Sequence, residues 1–241
     1  MSKSRSAGKP SGISWPVPPM MTGDWRVLDD ALAREFFNVL VGDQSRPREI
    51  AHSGSLDAFR LFPLSCYPGF LSVDVLLGGE AGPRVMWFLY GPQGTFPITG
   101  QSALLHDLND RGLLSLDSDA AAIEYLRLFC SAVHGEEGPF ILVEDMRRYM
   151  DLTGVVPDIG DLLFRRLKPL SCQATADGWM LQGHVLYGET LFRAQFNLTR
   201  TGLVEMIDDE VIVGPVAGTT FISEAGIRTP SAPASTNGER A

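Results

Sequence analysis

The sequence predicts an α+β fold: antiparallel sheets, built from hairpins and ending in a three-stranded meander, packed with four or five helices. The main observation is the stretch 179–207, where apolar and polar residues alternate in three runs separated by turns at Gly188 and Thr201-Gly202. A period of two is typical of strands with one face on a core. These turns are too short for the crossover helices of a parallel sheet, so we expect antiparallel pairing.

Earlier segments predict further strands at 59–64, 70–77 and 84–90. Residues 85–90 are apolar on both faces, which is typical of a central strand covered on both sides. We therefore expect Trp87 to lie in the core. Asp74 interrupts an apolar strand, so we expect either a buried functional acid or the partner of a neighbouring arginine or serine.

Helical patterns occupy the segments between the hairpins. Asp24 is expected to cap a first helix, in which Leu28, Leu32, Phe36 and Val39 form an apolar stripe. A longer helix is expected from Asp117 or Ser118 to His134. Shorter helices are predicted around 102–109, at 146–150 and over 157–167.

The two ends differ in composition from the middle of the chain. Residues 1–22 are predicted to be a flexible lead rich in proline and serine, and residues 224–241 a disordered tail. Both ends are expected to be dispensable for folding. Residues 23–223 are then expected to form a single globular α+β domain.

An internal duplication is an alternative within that domain. Pro-Leu-Ser-Cys occurs at 63–66 and again at 169–172, each time before a hairpin. Two similar halves, 23–150 and 151–223, would account for the repeat, although a four-residue identity is weak evidence.

The charge of the chain argues against nucleic acid as a partner. The formal net charge is −9, and after the first 23 residues 17 basic residues face 29 acidic ones. Such a surface repels phosphate backbones. No apolar run approaches the about 20 residues of a membrane span, so no membrane partner is expected.

The cysteines indicate a reducing compartment. Cys66, Cys130 and Cys172 form no CxxC pair and leave one cysteine over, whereas a disulfide framework needs an even, dense set. We expect buried thiols and a cytoplasmic protein, because the proline-rich start is unlike a secretory signal.

Motifs that bind cofactors or metals are absent from the sequence. It contains no GxGxxG, GxxxxGK[ST], GxSxG or HExxH, and the four histidines lie far apart. No cofactor is therefore predicted.

The polar face of the predicted meander is the first candidate site. It carries Gln182, His184, Arg193, Gln195 and Asn197. Residues opposite each other on neighbouring strands lie about 4.5–5.5 Å apart, so these side chains would converge. A histidine beside an arginine and amides can bind a carboxylate or another small polar ligand. The alternative is the wet outer face of a one-sided sheet.

The densest acidic cluster is the second candidate. Glu205, Asp208, Asp209 and Glu210 could hold Mg²⁺ or Ca²⁺ through their oxygens. A solvated strand end is the alternative explanation.

Two functional hypotheses follow from these candidates. The first is a non-enzymatic binding or interaction module that contacts a protein or a small polar ligand through the polar meander face or through the Trp/Pro-containing lead, 15–19. The second is a hydrolase or divalent-metal-assisted enzyme that uses the acidic cluster near Asp208 together with His184. The absence of catalytic residue spacings favours the first.

Overall fold

A computed structural model describes residues 13–42, 55–80, 82–156, 163 and 165–231. These residues form a mixed α+β protein, mostly antiparallel sheet, with four delimited helices. None of the described helices is long and apolar enough to cross a membrane.

The helices are α1 Asp30–Gly42, α2 Ala103–Asp110, α3 Asp119–Ala132 and α4 Met146–Thr153. The strands are β1 Arg26–Val27, β2 Ser55–Pro63, β3 Leu71–Gly78, β4 Arg84–Gly91, β5 Gly94–Pro97, β6 His134–Gly135, β7 Gly138–Pro139, β8 Ile141–Leu142, β9 Ser171–Ala174, β10 Gly178–Tyr187, β11 Thr190–Thr199, β12 Val204–Val213, β13 Phe221–Glu224 and β14 Ile227–Pro230.

The first sheet has seven strands in the order β1-β2-β3-β4-β14-β13, and β5 also pairs with β4. Strand β4 is central: β3 lies along one edge, and β5 and β14 share the other. Its Trp87 is 3% exposed and donates its indole N–H to Ser72 Oγ at 2.7 Å. The expectation that 84–90 is a buried central strand is confirmed.

The second sheet has the order β12-β11-β10-β8, with β9 also on β10. Strands β10, β11 and β12 are successive antiparallel neighbours. The apolar members of the alternation, including Trp179, Leu181 and Phe196, are buried in the main core. Helix α3 contributes Tyr125 and Leu126 to that core. Trp87 of the first sheet belongs to it as well, so the main core includes residues of both sheets.

Helix α1 begins later than the sequence predicts. Arg26 and Val27 pair with β2, so the chain is still extended there. Asp29, not Asp24, precedes the helix and accepts the backbone N–H groups of its first turn, Ala31 at 3.1 Å and Leu32 at 2.9 Å. Such a bond satisfies helix donors that have no partner within the helix.

The buried face of α1 also differs from the predicted stripe. Phe36 of that stripe packs on a second core on the far face of the first sheet, as does Phe37, which the stripe did not include. Leu32 and Val39 of the stripe are exposed. The Phe36 ring meets that of Phe59 edge-on at 5.1 Å. The helix is therefore rotated so that aromatic residues cover the sheet.

The other helix predictions have mixed outcomes. Ser118, one of the two predicted caps, accepts the Ala121 N–H at the start of α3. Asp145 caps α4 in the same way through the Arg148 N–H. Most of the helix predicted over 157–167 lies outside the described residues; of it, 163 and 165–167 are described.

The predicted lead is packed from Ile13 onward. Val17, Met20 and Met21 are among the most buried residues of the main core. This differs from the expected flexible segment 1–22, of which residues 1–12 lie outside the described residues. The composition rule failed here because a few large apolar side chains among the prolines suffice to anchor the segment.

Buried arginines bind the backbone of this N-terminal segment. Arg60 donates to the Val17 carbonyl at 3.1 Å, and Arg228 donates to that of Pro18. Arg148 donates to the carbonyls of Pro19 and Met20, at 2.9 and 2.6 Å. Burial lowers the pKa of Arg148 to about 10, despite the nearby Asp151.

Asp74 balances part of this positive charge and is itself fully buried. One carboxylate oxygen accepts from Arg60 at 2.8 Å, and the other accepts from Arg228 at 2.5 Å. Of the two roles expected for Asp74, the structure shows the ion pair. Arg228 lies in β14, so part of the predicted tail 224–241 belongs to the sheet; residues 232–241 lie outside the described residues.

The two Pro-Leu-Ser-Cys segments have different local structures. In the first, Pro63 ends β2 and Ser65-Cys66 lie in a bend. In the second, Ser171 and Cys172 begin β9. The repeated tetrapeptide therefore has a different local conformation at its two positions.

Candidate functional site

The strand register brings the predicted polar residues together on one face of the second sheet. His184 lies directly opposite Arg193, and Gln182 opposite Gln195. Directly opposite residues project from the same face, about 4.5–5.5 Å apart. Asn197 lies farther along the same face, opposite Met180.

A concavity of about 580 Å³ lies over part of this face. Its floor includes Gln182, His184 and Arg193, whereas Gln195 and Asn197 do not line it. Small-molecule sites typically occupy about 300–1,000 Å³. The wall is the segment before β9, with Arg165, Arg166, Lys168 and Pro169.

The wall is held against β10 by packing and hydrogen bonds. Leu170 donates its backbone N–H to Glu144 Oε1 at 3.2 Å, and Glu144 is held by Arg127 through two bonds of 2.8 and 2.7 Å. Strand β10 has a glycine, Gly183, where Leu170 approaches: a Cβ there would lie 2.8 Å from Leu170 Cδ2. Gly183 therefore permits the close contact of wall and floor.

Positive charge dominates the concavity. Its lining includes four basic residues, Arg165, Arg166, Lys168 and Arg193. Glu210 is the single carboxylate among the described lining residues. Glu210 accepts from Arg193 at 2.6 Å in an exposed ion pair, a type that contributes little to stability. The protein is acidic overall, so this is a local reversal of its charge that would attract an anion.

His184 is 8% exposed, and its environment disfavours the charged form. Burial lowers the pKa of His184, and the positive charges of Arg193 and Lys168 lower it further. The nearby backbone of Lys168 acts in the opposite direction and raises the pKa. The imidazole is thus neutral at pH 7. Its Nδ1 is buried without a hydrogen-bond partner among the described residues.

The four predicted metal-ligand acids are not gathered into one group. Asp208 and Glu210 lie opposite Gln195 and Arg193, whereas Asp209 lies opposite Ala194 and so projects from the other face. Among the residues the structure describes, no three histidine, cysteine or acidic side chains are placed to share a metal ion. Alternation along an extended strand separates consecutive carboxylates.

Sequence reasoning missed the wall of the concavity. Its basic residues come from the run Arg165-Arg166-Leu167-Lys168, a dense basic stretch in an acidic chain. That run is a signal in the sequence, but nothing local indicates that it folds over β10.

The cysteines lack the features of reactive thiols. Burial raises the pKa of the Cys130 thiol to about 12 and raises that of Cys66 well above its usual value, with nearby Glu124 adding to the Cys66 shift. Cys172 is half-buried, and burial raises its pKa too. The thiolate is the reactive form, so all three are disfavoured as nucleophiles.

We expect the thiols to react in order of exposure. In the native protein at neutral pH, a maleimide should label Cys172 first, and Cys66 and Cys130 only after unfolding. Mass spectrometry of the labelled peptides checks this order. Rapid native labelling of Cys66 would contradict the buried placement.

Comparison with known proteins gives no match: no family model fits the chain, and neither a curated protein nor a solved structure is significantly similar to it.

Proposed function

We propose that this protein is a binding module that takes a small anionic ligand, carrying a carboxylate or a phosphate, in the concavity between β10, β11 and the segment before β9. The observation that carries the proposal is the charge of the lining. Four basic side chains surround a space of ligand size: Arg165, Arg166, Lys168 and Arg193. Glu210 is the one opposing acid among the described lining residues.

The chemistry of these side chains suits an anion. Guanidinium groups present planar pairs of N–H donors that match carboxylate and phosphate oxygens. Neutral His184 and the amide of Gln182 add uncharged polar contacts on the floor. Because Arg193 already pairs with Glu210, an incoming anion would compete with that carboxylate for the guanidinium.

The test compares three single variants. Arg193→Ala should weaken binding of citrate or inorganic phosphate by about tenfold or more, since a hydrogen bond to a charged group contributes about 1.5–3 kcal/mol. Glu210→Gln should tighten binding, because it removes the competing acid. Arg111→Ala is the matched control: this arginine is exposed and does not line the concavity.

The measurements are isothermal titration calorimetry and the anion-dependent rise in melting temperature, which follows from binding to the native state alone. Without anion, the free energy of unfolding of Arg193→Ala should differ from that of the wild type by less than about 1 kcal/mol, since Arg193 is exposed. If citrate and phosphate bind equally to the wild type and to Arg193→Ala, the concavity is not an anion site.

A further inference from the structure

The outer edge of β12 is a second feature with functional implications, separate from the concavity. Strand β12 is ten residues long and pairs with β11 on one side. No described residue pairs with its other side. A free edge of this length presents a row of backbone donors and acceptors that can template another strand.

Exposed apolar side chains accompany this edge. Met206 is 40% exposed and Val211 58% exposed, and both lie on the face opposite the basic concavity. Met206 lines a depression of about 150 Å³ together with Phe140, Tyr187 and Phe192, and Asp209 is the one carboxylate in this otherwise mostly apolar lining. The Phe140 and Tyr187 rings stack with centroids 4.4 Å apart. Such a depression can receive an apolar side chain of a paired strand.

The charge of the edge selects the partner. Residues 204–213 contain four carboxylates and no basic residue. Only Glu210 of these four has an ion pair within the described part of the chain. Two copies of β12 paired edge to edge would bring eight carboxylates together, which disfavours a second copy of this chain. A basic strand would instead find carboxylates opposite its own side chains.

We propose that the outer edge of β12 binds an extended, basic segment of a partner protein, which adds as a strand with apolar residues alternating with lysine or arginine. Its apolar side chains pack beside Met206 and Val211 and fill the depression. Its basic side chains pair with the free carboxylates of β12. This interaction does not depend on the anion site.

The probes are four fluorescent ten-residue peptides in which lysine alternates with valine, isoleucine, leucine or tyrosine. Fluorescence anisotropy at about 0.15 M salt measures binding to the full chain. At least one peptide should bind, and hydrogen exchange of the amides in 204–213 should slow. N-methylation of alternate peptide amides should weaken binding about tenfold or more, because it removes the strand hydrogen bonds and keeps the charge.

Variants locate the site on the protein. Met206→Lys with Val211→Lys should abolish binding, because lysine on an edge opposes strand addition and repels a basic peptide. Leu32→Lys is the matched control, an equally exposed leucine on helix α1.

Three results would overturn the proposal. The first is that none of the peptides binds. The second is equal binding of the N-methylated peptide, which would reveal unspecific attraction between charges. The third is self-association of the protein through β12 in sedimentation velocity, which would make the occupant a second copy.

Discussion

Asp74→Ala is expected to lower the free energy of unfolding by about 3–5 kcal/mol, since removing one partner of a buried ion pair leaves uncompensated charge. In this protein two arginines lose their shared carboxylate. Arg60 and Arg228 are themselves buried and would remain inside the core with carbonyl oxygens as their other hydrogen-bond acceptors. Urea unfolding followed by tryptophan fluorescence measures the loss.

Two further variants make this result interpretable. Asp107→Ala removes an exposed carboxylate from α2 and should change the free energy of unfolding by less than about 0.5 kcal/mol. Asp74→Asn keeps an oxygen acceptor without the charge and should also destabilise the protein strongly. A loss below about 1 kcal/mol for Asp74→Ala would mean that water or rearranged side chains neutralise the arginines.

Removal of residues 1–21 is expected to abolish cooperative unfolding, whereas removal of residues 1–12 should leave it intact. The longer deletion takes away three buried apolar side chains, Val17, Met20 and Met21, each contributing about 1.5–3 kcal/mol. It also removes the carbonyls that accept from three buried arginines, and each lost partner costs about 1–3 kcal/mol. The sum is comparable with the entire stability of a typical domain, about 5–15 kcal/mol.

Calorimetry of the two truncated proteins provides the measurement. The protein lacking residues 1–12 should melt in one transition near the temperature of the full chain. If the protein lacking residues 1–21 melts in the same way, the segment lies on the surface of an independent core, and the contacts of Val17 and Met20 contribute little.

Local pattern explains why much of the fold was predictable. Alternation along 179–198 identifies which side chains face the core, and the short turn at Gly188 requires an antiparallel partner. The continuous apolar run 85–90 identifies a central strand with Trp87 inside. These features depend on neighbours within a few residues, so they are readable without a structure.

Helix α1 shows where local pattern fails. Of its predicted stripe, Phe36 packs on the sheet, but Leu32 and Val39 are exposed. Phe37, which the stripe did not include, covers the sheet beside Phe36. Two overlapping apolar stripes on one helix have similar periodicity. The choice between them depends on the shape of the opposing sheet, which the helix sequence does not contain.

For the candidate site, the sequence by itself indicated that His184 and Arg193 project from the same face of the meander, and the register pairs them there. Gln195 and Asn197, predicted on that same face, do not line the concavity. Only the tertiary structure decided that Arg165, Arg166 and Lys168 form its wall. It alone also decided that the proline-rich segment 13–21 packs on the core, because the arginines that donate to its carbonyl oxygens are residues 60, 148 and 228. Hydrogen bonds between residues so far apart in the chain produce no periodic pattern in the sequence, because only the folded backbone brings their donors and acceptors together.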